Sequence, residues 1–160
     1  MTAPTTSRSA EARLRELDIH LPPIPPPAGT YVHAVRTGTL LFLTGHPPIR
    51  ADGTVILGRL GQDLDADAGY QAARVAGLGM LTTMRQELGS LDRVRRIVKV
   101  NGVVDATAEF LQHTQVINGV SDLLVEVFGE AGTHARLAVG YSSLPWNICL
   151  EVELIAEVAE

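Results

Sequence analysis

Cysteine is nearly missing. Cys149 is the only one, so no disulfide can form within the chain and no cysteine cluster can hold a metal, which fits a reducing compartment and makes the cytoplasm the expected location. Lysine is as scarce. Lys99 stands alone beside twelve arginines, so phosphate-loop or Schiff-base chemistry would depend on that one side chain, and neither is expected. Long apolar runs are absent as well: the longest aliphatic-aromatic stretch is Leu40-Leu41-Phe42-Leu43, and no charged segment followed by an apolar one opens the chain. No membrane partner is expected. A formal net charge of −5 also withholds the general basic surface on which non-specific nucleic-acid binding relies.

What is present is an ordinary globular balance, 46% hydrophobic and 19% charged over 160 residues, enough for one domain with a real core. Residues 1–28 read as an N-terminal arm. Met1 to Arg8 are small and polar and read as disordered, Ser9 suits the cap of a short helix carrying Leu14 and Leu17, and Pro22-Pro23-Ile24-Pro25-Pro26-Pro27 must run as extended polyproline. The main domain is placed at residues 29–160.

Tyr31 to Val35 and Leu40 to Thr44 flank Arg36-Thr37-Gly38 as two strands and a turn, and Thr54 to Leu57 reads as a third strand after Asp52-Gly53. Tyr70, Ala73, Leu81, Met84 and Leu88 recur at helical spacing up to Gly89, with Gly77 and Gly79 allowing close packing on a sheet. Val94 to Val104 is a strand, Thr114 to Phe128 a helix, and His134 to Tyr141 and Asn147 to Val158 are closing strands. The order β-β-β-α-β-α-β-β describes an α+β domain, a six-stranded mixed sheet with two helices on one face. Its other face, rich in Val and Leu, calls for self-association.

In the strand from His134 to Tyr141, Arg136 shares a face with Ala138 and Gly140, where a planar guanidinium above small residues can grip a carboxylate with two parallel bonds. The blander alternative is a surface arginine paired with an acid. If Ser142 to Asn147 is a hairpin loop, Arg136 and Glu151 come to share one face, where Glu151 could position water or simply pair with the arginine. His20, His33, His46, His113 and His134 lack metal-ligand spacing, so no metal is expected. His46 beside Gly45 could titrate near neutral pH and donate to substrate, or serve as a structural hydrogen-bonding residue. Arg93, Arg95, Arg96 and Lys99 form a basic run without aromatic neighbours, which favours a solvated strand edge over RNA contact. Cys149 reads as packing.

Gly29-Thr30-Tyr31-Val32, Leu43-Thr44-Gly45-His46-Pro47, Asn118, Ala135-Arg136-Leu137-Ala138-Val139, Leu144-Pro145 and Leu150-Glu151-Val152-Glu153 resemble the Rid (YjgF-type) reactive-intermediate deaminase family. The resemblance runs from about Gly29 to the C-terminus, and Ser121 to Ala135 is similar to a longer-chain branch whose members carry an endoribonuclease L-PSP label. It implies a chorismate-mutase-like fold, a homotrimer with ligand clefts between subunits, and hydrolysis of reactive 2-enamine or 2-imino acids to 2-oxo acids and ammonia without any cofactor. It further implies that Arg136 clamps the substrate carboxylate, that Glu151 holds the attacking water, and that Tyr31, Thr44, Gly45, His46, Asn118 and Ala138 line or border the cleft. Four positions depart from the family pattern. His46 replaces a common glutamine, Ala138 a frequent cysteine, Leu137 a small residue and Thr44 a serine, which leaves substrate size open. A non-catalytic trimer binding a small carboxylate or a protein partner is the competing expectation, with an endoribonuclease behind both.

Overall fold

The computed structural model describes residues 9–160; the polar lead Met1–Arg8 lies outside the described residues. The first helix, α1, spans Ala10–Glu16, and the Ser9 hydroxyl accepts the Ala12 N–H as its cap. Strands β1 (Ala34–Thr37) and β2 (Leu40–Leu43) form a tight hairpin, with Thr37 opposite Leu40 and Gly38 at φ 56° in the turn. The long helix α2 (Ala66–Leu88) starts at an Asp65 cap and stops at Gly89, whose φ of 79° is a conformation glycine adopts at little cost. After it come β3 (Val94–Asp105), α3 (His113–Phe128), β4 (Ala135–Tyr141) and β5 (Leu150–Val158). Among the described residues no helix is long and apolar enough to cross a membrane.

The sheet order is β1-β2-β5-β3-β4, antiparallel except for the parallel pair β3–β4 that α3 connects. Alternate β5 residues Leu150, Val152, Leu154, Ala156 and Val158 are buried with Val100 and Val104 of β3 beneath the helices. Across the sheet, Val35, Phe42 and Leu137 stay exposed. The α+β class holds, with five strands rather than six. Thr54–Leu57 makes only single bridges, Ile49 to Val55 and Leu57 to Ile148, because Pro47 and Pro48 withdraw N–H donors from any ladder there.

Two local expectations are corrected. Gly77 does not seat α2 on the sheet; a β-carbon there would lie 2.9 Å from Leu123 of α3, so this glycine allows the two helices to approach. The closing strands are not a hairpin. β3 lies between β4 and β5, and the Ser142–Cys149 connection passes over its end, with Ala106 N–H bonded to Tyr141 O and Asp105 N–H to Cys149 O. Arg59 secures that crossing by pairing with buried Asp105 at 2.9 Å and donating to Ser142 O.

Residues 10–27 are packed on the domain rather than trailing from it. Leu14 is 2% exposed within the common core, the Glu11 carboxylate binds Arg85 and the Leu91 N–H, and Arg13 donates to Glu126 O. Pro22 O accepts from the Thr82 hydroxyl and Pro25 O from the His33 ring, so the proline run is tied down as a strap. Leu14→Ala should therefore cost about 2–5 kcal/mol in urea unfolding, as for other buried leucines. A loss below about 0.5 kcal/mol, the range of ordinary surface changes, would mean that α1 is not part of the cooperative fold.

Candidate active site

Glu151 follows the first residue of β5 and points away from the helices. Its carboxyl lies over Gly45, where a β-carbon would approach to 2.7–2.8 Å, so a larger residue there would push the flexible end of the acid aside. Burial, and then the neighbouring Glu153, push its pKa above the usual carboxylate value. The acid borders a cavity of about 260 Å³ that Tyr31, Gly45 and His46 also line. The Tyr31 phenol oxygen accepts the Ala28 N–H at 3.2 Å, which leaves its own proton free to donate. Thr44 contributes backbone: its N–H bonds His33 O, and its carbonyl accepts from the His46 ring.

His46 is a structural residue, not a titrating donor to substrate. Its Nδ1–H donates to Thr44 O at 2.7 Å and its Nε2 accepts from the Thr83 hydroxyl at 2.7 Å, so both ring nitrogens are occupied. Burial pushes its pKa down to about 4.

Arg136 lies elsewhere. In register it aligns with Val100, and through β3 with Leu154, which puts it on the helix-facing side of the sheet, whereas Glu151 aligns with Val103 and Val139 on the other side. The expected shared face of Arg136 and Glu151 is thus corrected, since β3 intervenes between their strands. Arg136 makes no ion pair among the described residues. Its partners are neutral: Nη1 donates to Asn118 Oδ1 at 2.7 Å and Ser121 Oγ at 3.0 Å, and Nη2 reaches Thr114 O at 3.4 Å. The Nε–H makes no hydrogen bond among the described residues. Ala138 is partly buried against the core two residues along, and Gly140 follows it, where a β-carbon would lie 2.4 Å from the His113 ring.

Sequence reasoning missed the supports of Arg136. Thr114, Asn118 and Ser121 form a stripe at spacings of four and three on α3, a polar line beside the apolar Val116-Val120-Leu123-Val127 face that could have marked it. Ser121 is held in turn. Its hydroxyl donates to His134 Nε2 at 2.9 Å while His134 Nδ1–H donates to Gly132 O at 2.6 Å, and burial followed by the Arg136 charge lowers the His134 pKa.

Of the remaining candidates, Cys149 is buried and its thiol is pushed up to about 12, mainly by burial, so it packs. In the basic run, Arg93 is bound to Leu88 O and Glu160 O, and β4 covers β3 only from Lys99 onward, which leaves Arg95 and Arg96 on an open stretch of strand.

The family model described as "YjgF/chorismate_mutase-like, putative endoribonuclease" matches residues 11–158. Protein TCP17 of Trypanosoma cruzi is 40% identical over 148 residues, 92% of each chain. A protein of unknown function from Agrobacterium tumefaciens is 37% identical with a TM-score of 0.85, covering 95% of this chain and 93% of its own. A structure from Shewanella oneidensis, under the same provisional endoribonuclease label, is 32% identical with a TM-score of 0.90, covering 94% of this chain and all (100%) of its own.

The depressed His46 pKa has a consequence for stability. An unfolded histidine titrates near 6.5, so below that pH the unfolded chain takes up a proton that the folded ring refuses until about 4. Stability from this group is therefore present above pH 6.5 and lost as pH falls to 4, by about 3 kcal/mol. His46→Gln retains a donor and an acceptor without a charge to gain. Urea unfolding at pH 7 and pH 4 should show the parent losing more stability than His46→Gln by that amount; equal losses would mean that His46 is not held neutral.

Proposed function

The chain belongs to the YjgF/chorismate-mutase-like family, and from that premise we propose a cofactor-independent hydrolytic deaminase of reactive 2-enamine and 2-imino acids, acting in clefts between copies of the chain. The observation that carries this is the state of Arg136: a partly buried guanidinium held by neutral groups, with no ion pair among the described residues and no hydrogen bond from its Nε. In a chain of net charge −5, an arginine left without an acid is a site prepared for a ligand anion.

The chemistry follows from the two groups. Arg136 grips the carboxylate of the imino acid and sets the C2 carbon in place. Glu151, raised in pKa by desolvation, takes a proton from water as the oxygen attacks C2 and returns it to the imine nitrogen, then carries the hydroxyl proton of the resulting carbinolamine to the amino group, so that the C–N bond breaks, ammonia leaves and a 2-oxo acid remains. Because the sheet separates the two side chains within one copy, the working cleft takes Arg136 from one copy and Glu151 from its neighbour. A homotrimer is the assembly that the resemblance implies, and the exposed Val35, Phe42 and Leu137 are suited to its contacts. RNA cleavage has less support, since Arg93 is already bound to the chain's own carbonyls.

The test is complementation. Arg136→Lys loses the planar fork and should weaken pyruvate binding at least tenfold in calorimetry, while Glu151→Gln should slow imine hydrolysis on the order of 10²–10⁴-fold with binding little changed. Mixed oligomers of the two inactive variants should regain activity, because one kind of cleft then holds both native side chains. Parent-like pyruvate binding by Arg136→Lys would sink the clamp. Pyruvate binding without any hydrolysis by the parent would leave a carboxylate-binding protein.

A further inference from the structure

We propose that the cavity behind Glu151 is a side-chain pocket, which makes the cleft selective for 2-imino and 2-oxo acids bearing a bulky apolar group, aromatic or branched. For the carboxylate end of the ligand this rests on the clamp proposed above; the pocket itself rests on separate observations.

The first is size and lining. The cavity holds about 260 Å³, and an apolar cavity on the order of 150 Å³ already accepts benzene. Its walls are the strap residues Ile24 and Pro25, with Tyr31, Ile49, Ile148 and Trp146. The polar groups among them are partly occupied: His46 uses both ring nitrogens and the His33 Nε2–H is bound to Pro25 O, while the His33 Nδ1 and the Tyr31 hydroxyl proton are without partners among the described residues. Glu151 remains as the reactive group at the wall. A substrate with only a methyl group would leave most of this apolar space unfilled, whereas each added methylene buried here tightens binding by about fourfold.

The second is rigidity. The strap is held by Thr82 Oγ1 to Pro22 O at 2.7 Å and by His33 to Pro25 O at 2.8 Å, and proline rings fix the backbone between those points. The pocket is thus formed before a ligand arrives.

The third is Trp146. It has φ 54° and ψ 21°, a left-handed conformation that a bulky residue rarely adopts, and the next residue, Asn147, has φ 61°. The indole is 75% exposed yet lines the cavity, so the strained loop presents a large aromatic face at the entrance instead of burying it.

Titrating the full-length protein with pyruvate, 2-oxobutanoate, 4-methyl-2-oxopentanoate and phenylpyruvate in a calorimeter tests this directly. The last two should bind at least tenfold more tightly than pyruvate. The ratio of the pyruvate Kd to the phenylpyruvate Kd should shrink severalfold toward one in Trp146→Ala, which removes the exposed face, and in Val55→Phe, which fills the cavity from a site 37% exposed. Equal affinity for all four acids, each weakened by Arg136→Lys, would overturn the pocket and leave the clamp standing. Trp146 is the only tryptophan, so its emission reports on the cavity alone. If no acid binds while neutral 3-phenylpropanamide shifts that emission saturably, the pocket stands and the clamp falls. If neither occurs, both fall.

Discussion

The placement of β3 between β4 and β5 governs the chemistry available to this chain. Had the two closing strands paired with each other, Arg136 and Glu151 would have met across a hairpin and neutralised each other. With β3 inserted, Arg136 shares a face with Val100 and Leu154, and Glu151 shares the opposite face with Val103 and Val139. Side chains alternate strictly along a strand, so no rotamer change can carry either group to the other side. Each charge is thereby kept from its nearest natural partner within the chain. Most other partly buried arginines contrast with this: Arg59 is matched to Asp105, Arg74 to Glu126 and Arg85 to Glu11, while Arg93 is taken up by backbone carbonyls of its own chain.

Holding two unmatched groups in partly buried places is unfavourable, and the surroundings limit the penalty differently on each side. Around the Arg136 guanidinium, Asn118, Ser121 and Thr114 O supply oriented dipoles without a counter-charge. Among the described residues no donor reaches the Glu151 carboxyl, and its pKa rises instead. One group is thus fixed as a cation and the other is drawn toward the protonated state, the division of roles that a clamp and a proton carrier require. Geometry alone produces it. The chain needs no unusual residue type, only glycine at 45 and a polar stripe on α3.

Local signals in the sequence were sound wherever the physics is local. Asp65 and Gly89 bound α2 as cap and stop, Ser9 caps α1, and the spacing of Val116, Val120, Leu123 and Val127 marks the buried face of α3. The motif residues Tyr31, Gly45, His46 and Glu151 also converge on one cavity. What failed depends on contacts between distant segments. Nothing in the spacing of residues 135–158 reveals that a strand forty residues upstream will intervene, so the face shared by Arg136 and Glu151 was inferred from the wrong neighbour. The protonation of His46 likewise depends on its burial, its Nε2 partner Thr83 sits one helix away, and the support of Arg136 depends on Ser121 and His134. The third strand failed because the facing Pro47 and Pro48 offer no N–H donors with which a ladder could form.

The proline run illustrates how one property can be read in opposite ways. Lacking N–H donors, Pro22, Pro23 and Pro25–Pro27 cannot extend a helix or join a sheet, which suggests a separator between arm and domain. Their carbonyls, however, still accept hydrogen bonds, and Thr82 and His33 use two of them. A segment that can accept but not donate can lie across the mouth of a site without zipping onto β2 and closing it. The buried Leu14 of α1 holds one end of the strap and the His33 bond the other. The arm is therefore a wall of the candidate active site, kept open by the same absence of donors that made it look detached.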